Sequence, residues 1–179
     1  MPVLFLKPPS VLKIVSDAGA PLPVRFLQGC GSLHHECEIV CLISIAGGKP
    51  TITHVTLGLD LTLRDKQADL KKKGHPWEVS KVFADSAIIG PWIPVAKFEN
   101  YLETEFSFSL DGKVKQAGKG LQMSVDPVRC LAYASEYFPI CEGDLLFTGT
   151  PAGVGPIQPG QVGRLTWGNK LDYSVRWKS

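Results

Sequence analysis

The run Leu33-His34-His35-Glu36-Cys37-Glu38-Ile39-Val40-Cys41-Leu42-Ile43-Ser44-Ile45 decides how the rest of the chain is read. It is rich in aliphatic and β-branched residues and stops at Gly47-Gly48-Lys49-Pro50, which predicts one long strand over 33–45. Side chains alternate across a strand. Glu36 and Glu38 therefore share a face, about 7 Å apart, opposite Cys37, Ile39 and Cys41. Two carboxylates beside an apolar run need a reason, because unpaired buried charge is costly. The spacing alone leaves two readings: a wet strand face, or two oxygen ligands for a hard divalent cation. Residues 54–61 are the next strand candidate, and Asp60 near its end offers a third carboxylate.

Working outward, glycine and proline punctuate many short strands. Residues 3–6 and 11–15 are candidates. After Asp60 the period changes. Thr62 reads as an N-cap, with Asp65 completing a short capping box, for a helix that runs to Lys73 and stops at Gly74. Lys71, Lys72 and Lys73 then fall in its last turn, where the helix dipole favours cations, so they need no nucleic acid to explain them. Leu102, Thr104, Phe106, Phe108 and Leu110 alternate with polar residues, as on a strand with one wet face. Asp111-Gly112 turns it into 113–117. Asp126-Pro127 opens a second helix reaching about Phe138. Residues 145–147, 161–167 and 170–177 close the chain as strands, the last two joined at Gly168-Asn169. The expectation is one α+β domain over 1–179, mainly β, with two or three packed helices.

A chain of 179 residues, 44% hydrophobic and 20% charged, can bury a real core. A net charge of +2 argues against a nucleic-acid surface as its main business. The five cysteines, including Cys30, are odd in number and lack a Cys-x-x-Cys pair, so zinc-ribbon spacing and a complete disulfide framework are both excluded. Free thiols in a reducing compartment are expected. No apolar run approaches the roughly 18–20 residues that cross a bilayer, and the first residues are too short for a signal peptide. The expected location is the cytoplasm, or the mitochondrion if a targeting segment precedes Met1.

Arg64 and Gln67 follow Asp60 at helical offsets, on the side of the helix that faces its start. Lys81 comes after the Trp77-Glu78 loop. Thr148-Gly149-Thr150-Pro151-Ala152-Gly153-Val154-Gly155-Pro156 lets backbone N–H groups approach an anion, but lacks the Gly-Lys-Ser/Thr ending of a nucleotide phosphate loop. Together these residues describe a small anionic carbonyl substrate beside a magnesium-like ion. His34 shares the face of the glutamates and is read as structural rather than as a base. His35 is read as packing, His75 as solvent-exposed, and Cys37 as inert.

With these residues in view the chain resembles the fumarylacetoacetate hydrolase family, most closely its acylpyruvate hydrolase and oxaloacetate decarboxylase branch. The matching stretches are residues 2–8, 34–38, 59–65 with Gln67, 72–83 and 148–156. The resemblance implies a mixed β-roll, usually a homodimer, that binds Mg²⁺ or Mn²⁺ and acts on a 2-oxo acid, with no nucleic-acid or membrane partner. It puts Glu36, Glu38 and Asp60 on the metal-ligand positions, Lys81 on the active-site lysine, and Arg64, Gln67 and Thr150 on substrate contacts. The implied reactions are C–C cleavage of an acylpyruvate, decarboxylation of oxaloacetate, or isomerisation of a 2-oxo diacid. A catalytically impaired metal-binding homologue is a further alternative. Three departures stand out. The family's segment with a water-activating histidine and glutamate, which precedes the Pro-Val-Leu-Phe strand, has no counterpart after Met1. The stretch around 46–50 is shortened. Gly120 stands where the family often has a hydroxyl residue. On these grounds decarboxylation is expected to survive better than hydrolysis.

Overall fold

The computed structural model describes residues 2–16, 19–29 and 31–178, so Cys30 lies outside the described residues. In chain order the strands and helices are β1 (Leu12–Ile14), β2 (Leu22–Arg25), β3 (Leu33–His35), β4 (Cys37–Ala46), β5 (Lys49–Asp60), β6 (Thr62–Leu63), α1 (Arg64–Lys73), α2 (Glu78–Lys81), β7 (Ala87–Ile89) and β8 (Ile93–Pro94). They continue as β9 (Phe106–Leu110), β10 (Lys113–Gly118), α3 (Pro127–Tyr137), β11 (Leu145–Phe147), β12 (Gly155–Pro156), β13 (Val162–Trp167) and β14 (Leu171–Lys178). The fold is α+β and mainly β, as expected. A six-stranded sheet runs β1-β7-β5-β4-β11, with β8 also on β5. A five-stranded sheet runs β10-β9-β13-β14-β2, and a three-stranded one β12-β3-β6. Pairing is antiparallel except β1 with β7 and β2 with β14, which makes the two larger sheets mixed.

The core lies where the two larger sheets meet. Ile39, Leu57, Leu59 and Ile88 come from one, and Phe108, Leu165, Trp167, Tyr173 and Trp177 from the other. Each side chain withdrawn from water there is worth about 1.5–3 kcal/mol. Tyr173 ties the sheets together, its hydroxyl donating to Leu57 O at 2.9 Å.

Several expectations are corrected. The single strand over 33–45 is two strands, because the chain leaves the three-stranded sheet for the six-stranded one at Glu36 and must break its ladder to do so. Gly47-Gly48 does not simply end it. Both have positive φ (56° and 76°), the backbone of a tight two-residue hairpin, and Lys49 and Pro50 already belong to β5. Residues 3–6 form no strand: flanked by Pro2, Pro8 and Pro9, they run unpaired along the wall of a pocket. Thr62 is not the N-cap. Leu63 holds that position without a side-chain cap, while Asp65 accepts from Ser32 N at 2.9 Å. The alternating stretch 102–110 is strand only from Phe106, because Glu103 N and Thr104 N turn back to Asn100 O at 3.0 and 3.1 Å. Gly74 ends α1 in the left-handed conformation and Asp126 caps α3 through Arg129 N, both as predicted. Lys71, in the last turn of α1, lies 4.3 Å over the Trp77 ring. Among the described residues, no helix is long and apolar enough to cross a membrane.

Candidate active site

The hairpin β4–β5 brings the acidic residues together. Its register pairs Cys37 with Leu59 and Glu38 with Gly58, so Glu36 lies beside Asp60, and Asp60 N donates to Glu36 O at 2.9 Å. That register depends on a β-bulge. Near the turn, Ala46 pairs with Lys49 and Ile43 with Ile52, but Leu42 pairs with His54, leaving Thr53 as the extra residue. Without it the turn-side register would set Leu59, not Asp60, beside Glu36. As built, Glu36, Glu38 and Asp60 are all buried and present ligand oxygens within 4.8 Å of one another.

Three cations close on this cluster. Lys81, on α2 and only 2% exposed, donates to Glu36 Oε2 at 2.8 Å, Asp60 Oδ2 at 2.5 Å and Thr62 Oγ1 at 2.7 Å. Burial alone would lower its pKa, but Asp60 and Glu36 outweigh burial and raise it. Arg64 contacts Glu36 Oε1 through Nη2, while its Nη1 donates to Gln67 Oε1 at 2.7 Å. Lys7 reaches in from the unpaired N-terminal segment. Its Nζ lies 2.7 Å from Asp60 Oδ1 and donates to Ser86 O at 2.8 Å. Burial lowers the Lys7 pKa, with Asp60 opposing.

The two glutamates differ. Burial would raise Glu36, but Lys81 and Arg64 bring it below the usual carboxylate range. Glu38 is pushed up to about 8 by burial and by Asp60, although Gly149 N donates to its Oε2 at 2.7 Å. A divalent cation added to this cluster would relieve that penalty. Asp60 Oδ1 points the same way: it has Lys7 beside it but makes no directed hydrogen bond. The donor set is all oxygen, carboxylate and buried, which fits a hard divalent cation.

The loop after β11 forms another wall. Thr148 Oγ1 donates to Ile39 O and Thr150 Oγ1 to Cys37 O, both at 2.8 Å. The pocket is lined by the three carboxylates together with Arg64, Gln67, Lys81 and Thr150. All seven residues singled out in the sequence thus meet in one place. Arg64, Gln67 and Thr150, expected as substrate contacts, also engage one another or the chain at Glu36 and Cys37.

Other expectations fare variously. His34 turns to Ser32 Oγ at 3.0 Å, and burial and Arg64 lower its pKa. His35 packs at 4.5 Å on Phe108, and His75 is exposed. Cys37 is fully buried with its thiol pKa raised by burial, so it is inert as expected. Gly120 is buried against Leu102, so it is a packing position. Lys7 was missed, although it is the only charged residue among the first ten, a signal in plain view. Gln116 was missed too, with no signal in an otherwise solvated strand.

The chain is similar in sequence and fold to known proteins. Oxaloacetate tautomerase YcgM of Escherichia coli K12 is 40% identical, covering 97% of this chain and 81% of its own length. The mitochondrial oxaloacetate decarboxylase of Dictyostelium discoideum is 36% identical, over 90% of this chain and 75% of that one. Among solved structures, fumarylpyruvate hydrolase from Pseudomonas aeruginosa, in complex with Mn²⁺ and pyruvate, superposes with a TM-score of 0.89 at 31% identity. That match covers 97% of this chain and 77% of the other. The family model for the C-terminal part of fumarylacetoacetate hydrolase matches residues 1–174, and on this agreement of sequence and fold the chain belongs to the fumarylacetoacetate hydrolase family.

Proposed function

We propose that this chain is a divalent-metal-dependent enzyme of 2-oxo acids, using Mg²⁺ or Mn²⁺, that breaks the C–C bond next to a pyruvoyl group. Decarboxylation of oxaloacetate is the first reading and acylpyruvate cleavage the next. The observation that carries the proposal is the convergence of Glu36, Glu38 and Asp60, all buried, on one pocket wall. Held by these three, the cation would supply Lewis-acid polarisation of a 2-oxo oxygen.

The chain's own residues set the charge. By formal charge Glu36, Glu38 and Asp60 are balanced by Lys7, Arg64 and Lys81, with the ion pairs falling on Glu36 and Asp60. A bound divalent cation would leave it net positive, which suits a small anionic substrate. Lys81 is fixed by three hydrogen bonds, so its charge is already in place where negative charge develops on a substrate oxygen. Arg64 and Gln67 offer N–H groups side by side for a carboxylate. In decarboxylation the bond from C3 to the departing carboxylate breaks, CO₂ leaves, and the electron pair stays as an enolate that takes a proton to give pyruvate. No attacking water is needed. Hydrolysis needs a base for water, and His34 is instead turned to Ser32.

A second reading, keto–enol tautomerisation of oxaloacetate, is favoured by the 40% identity to a protein of that name. The test uses one preparation stripped with EDTA and resupplied with Mg²⁺ or Mn²⁺. Pyruvate release from oxaloacetate, ketonisation of enol-oxaloacetate and cleavage of acetylpyruvate are followed in parallel. Metal-dependent pyruvate release from oxaloacetate is expected. Robust acetylpyruvate hydrolysis without it, or no metal dependence at all, would overturn the first reading.

A further inference from the structure

Gln116 is a buried amide that the proposed chemistry does not use. It sits on β10, whose other residues are mostly exposed, yet it is 1% exposed. The cause is local. A bulge between Val114 and Gln116 shifts the register against β9, leaving Lys115 as the extra residue, and turns Gln116 inward.

Every hydrogen-bonding position of its amide is filled. Oε1 accepts from His35 Nδ1 at 2.8 Å and from Cys37 N at 3.0 Å. Nε2 donates to Thr150 Oγ1 at 2.7 Å and to Pro151 O at 3.0 Å. The orientation is not arbitrary, because a backbone N–H only donates and a carbonyl only accepts. The same logic puts a proton on His35 Nδ1.

These partners lie at an edge the ladder does not cover. β11 pairs with β4 only at Val40, Cys41 and Leu42. Toward the site, the peptide groups of Cys37, between the ligand positions Glu36 and Glu38, are met by side chains instead. Gln116 takes its N–H, and Thr150 Oγ1 donates to its C=O at 2.8 Å. Two side chains therefore do the work of a missing strand and also bond to each other. The loop is pressed home nearby. Gly153 has φ 99°, and a Cβ there would stand 2.1 Å from Lys115 O.

We propose that Gln116 is a positioning residue that clamps residues 148–151 against the ligand-bearing edge of β4, and that it acts on oxo-acid binding through Thr150 without touching the ligand. The role in oxo-acid binding rests on the proposed function; the clamp itself does not. Gln116→Glu isolates it. The glutamate keeps acceptors for Cys37 N–H and His35 but loses the amide donors that hold Thr150 and Pro151.

The experiment has two arms on the full chain. The first is hydrogen exchange of residues 145–155 without ligand, for Gln116→Glu and Thr150→Val. Either variant breaks the clamp from one side, so loop amides should exchange at least about tenfold faster, as expected when one or two hydrogen bonds are lost. Thr150→Val, at a half-exposed position, keeps this arm open should Gln116→Glu not fold. The second arm is Mn²⁺ and pyruvate affinity for both singles and the double variant. Mn²⁺ affinity should change by less than about threefold. Pyruvate affinity should fall about tenfold in each single, and the double should be no weaker than the worse single, because both act on one unit. Unchanged loop protection, or losses that multiply in the double variant, would overturn the clamp. A wild-type protein that binds neither Mn²⁺ nor pyruvate would sink the proposed function and leave the exchange result standing.

Discussion

Replacing Lys81 with methionine removes the one charge that touches two members of the acidic cluster. Lys81→Met keeps most of the side-chain volume, so the effect is electrostatic. The lost contacts are to Glu36 Oε2, Asp60 Oδ2 and Thr62 Oγ1, all at or below 2.8 Å and all buried. Stripping one partner from a buried ion pair costs about 3–5 kcal/mol, because the remaining charge has no water to return to. A domain of this size shifts by about 2–4 °C per kcal/mol, so the metal-free variant should melt roughly 6–20 °C below wild type. The cation and the ammonium neutralise the same carboxylates. Mg²⁺ should therefore stabilise the variant more than wild type, where Lys81 already balances part of their charge. At a hundredfold excess over Kd the gain is about 2.7 kcal/mol, enough to recover a large part of the loss. Thermal melts in EDTA and in graded Mg²⁺, with oxaloacetate turnover alongside, measure both. Turnover should stay low even where the melt recovers, since the cation restores the fold's charge balance but not the ammonium. A variant that Mg²⁺ stabilises no more than wild type would refute the idea that metal and lysine balance the same carboxylates.

Two other outcomes follow from the same geometry. Glu38 has its pKa raised to about 8 from the ordinary 4.5, so between those values the folded metal-free protein binds more protons than the unfolded chain. Its stability should therefore fall as pH rises from about 5 to 8, by the sign of proton linkage. Glu38→Gln should flatten that slope in EDTA melts and abolish Mn²⁺ binding; a slope unchanged by the substitution would show that Glu38 is not its source. Gly120→Ser introduces the hydroxyl that the resemblance led us to expect there, but its Cβ would stand 2.4 Å from Leu102 Cδ2 and 2.9 Å from Leu102 Cα. A loss of about 1–3 kcal/mol by urea denaturation is expected for this overpacking, and an unchanged midpoint would mean that the 3₁₀ turn over Gly120–Gln122 yields freely.

Much of the site was legible because it sits on regular alternation. Glu36 and Glu38 on one face, and Asp60 at the end of the next strand, follow from the period of a β-ladder and a short turn. Arg64 and Gln67 follow from helical spacing. Lys81 was placed by resemblance, not by pattern, because the short α2 that carries it is too brief for periodicity to reveal. Lys7 escaped because a strand was expected over residues 3–6, and a lysine just past its end, next to prolines, carries no pattern that marks it as buried. Gln116 was invisible because its inward turn comes from a bulge, a defect in the very alternation that sequence reading relies on. The split of 33–45 at Glu36 was hidden for a related reason: changing sheets leaves no mark on hydrophobicity.

The extra residue at Thr53 has a consequence for how this hairpin tolerates change in length. Between the Gly47-Gly48 turn and Thr53, both arms can lose or gain a matched pair of residues, and the tip simply becomes shorter or longer. The arms below keep their phase, so the three acids never feel it. Deleting Thr53 alone only removes the extra residue and leaves Asp60 beside Glu36, whereas one residue lost from β4 between Glu36 and Leu42 slides that arm by a single step and exchanges an aspartate for a leucine there. The bulge thus divides the hairpin into an outer half where length is free and an inner half where it is counted. Trimming the tip by equal amounts on both sides should leave metal affinity intact, whereas one residue missing from β4 between Glu36 and Leu42 should erase it.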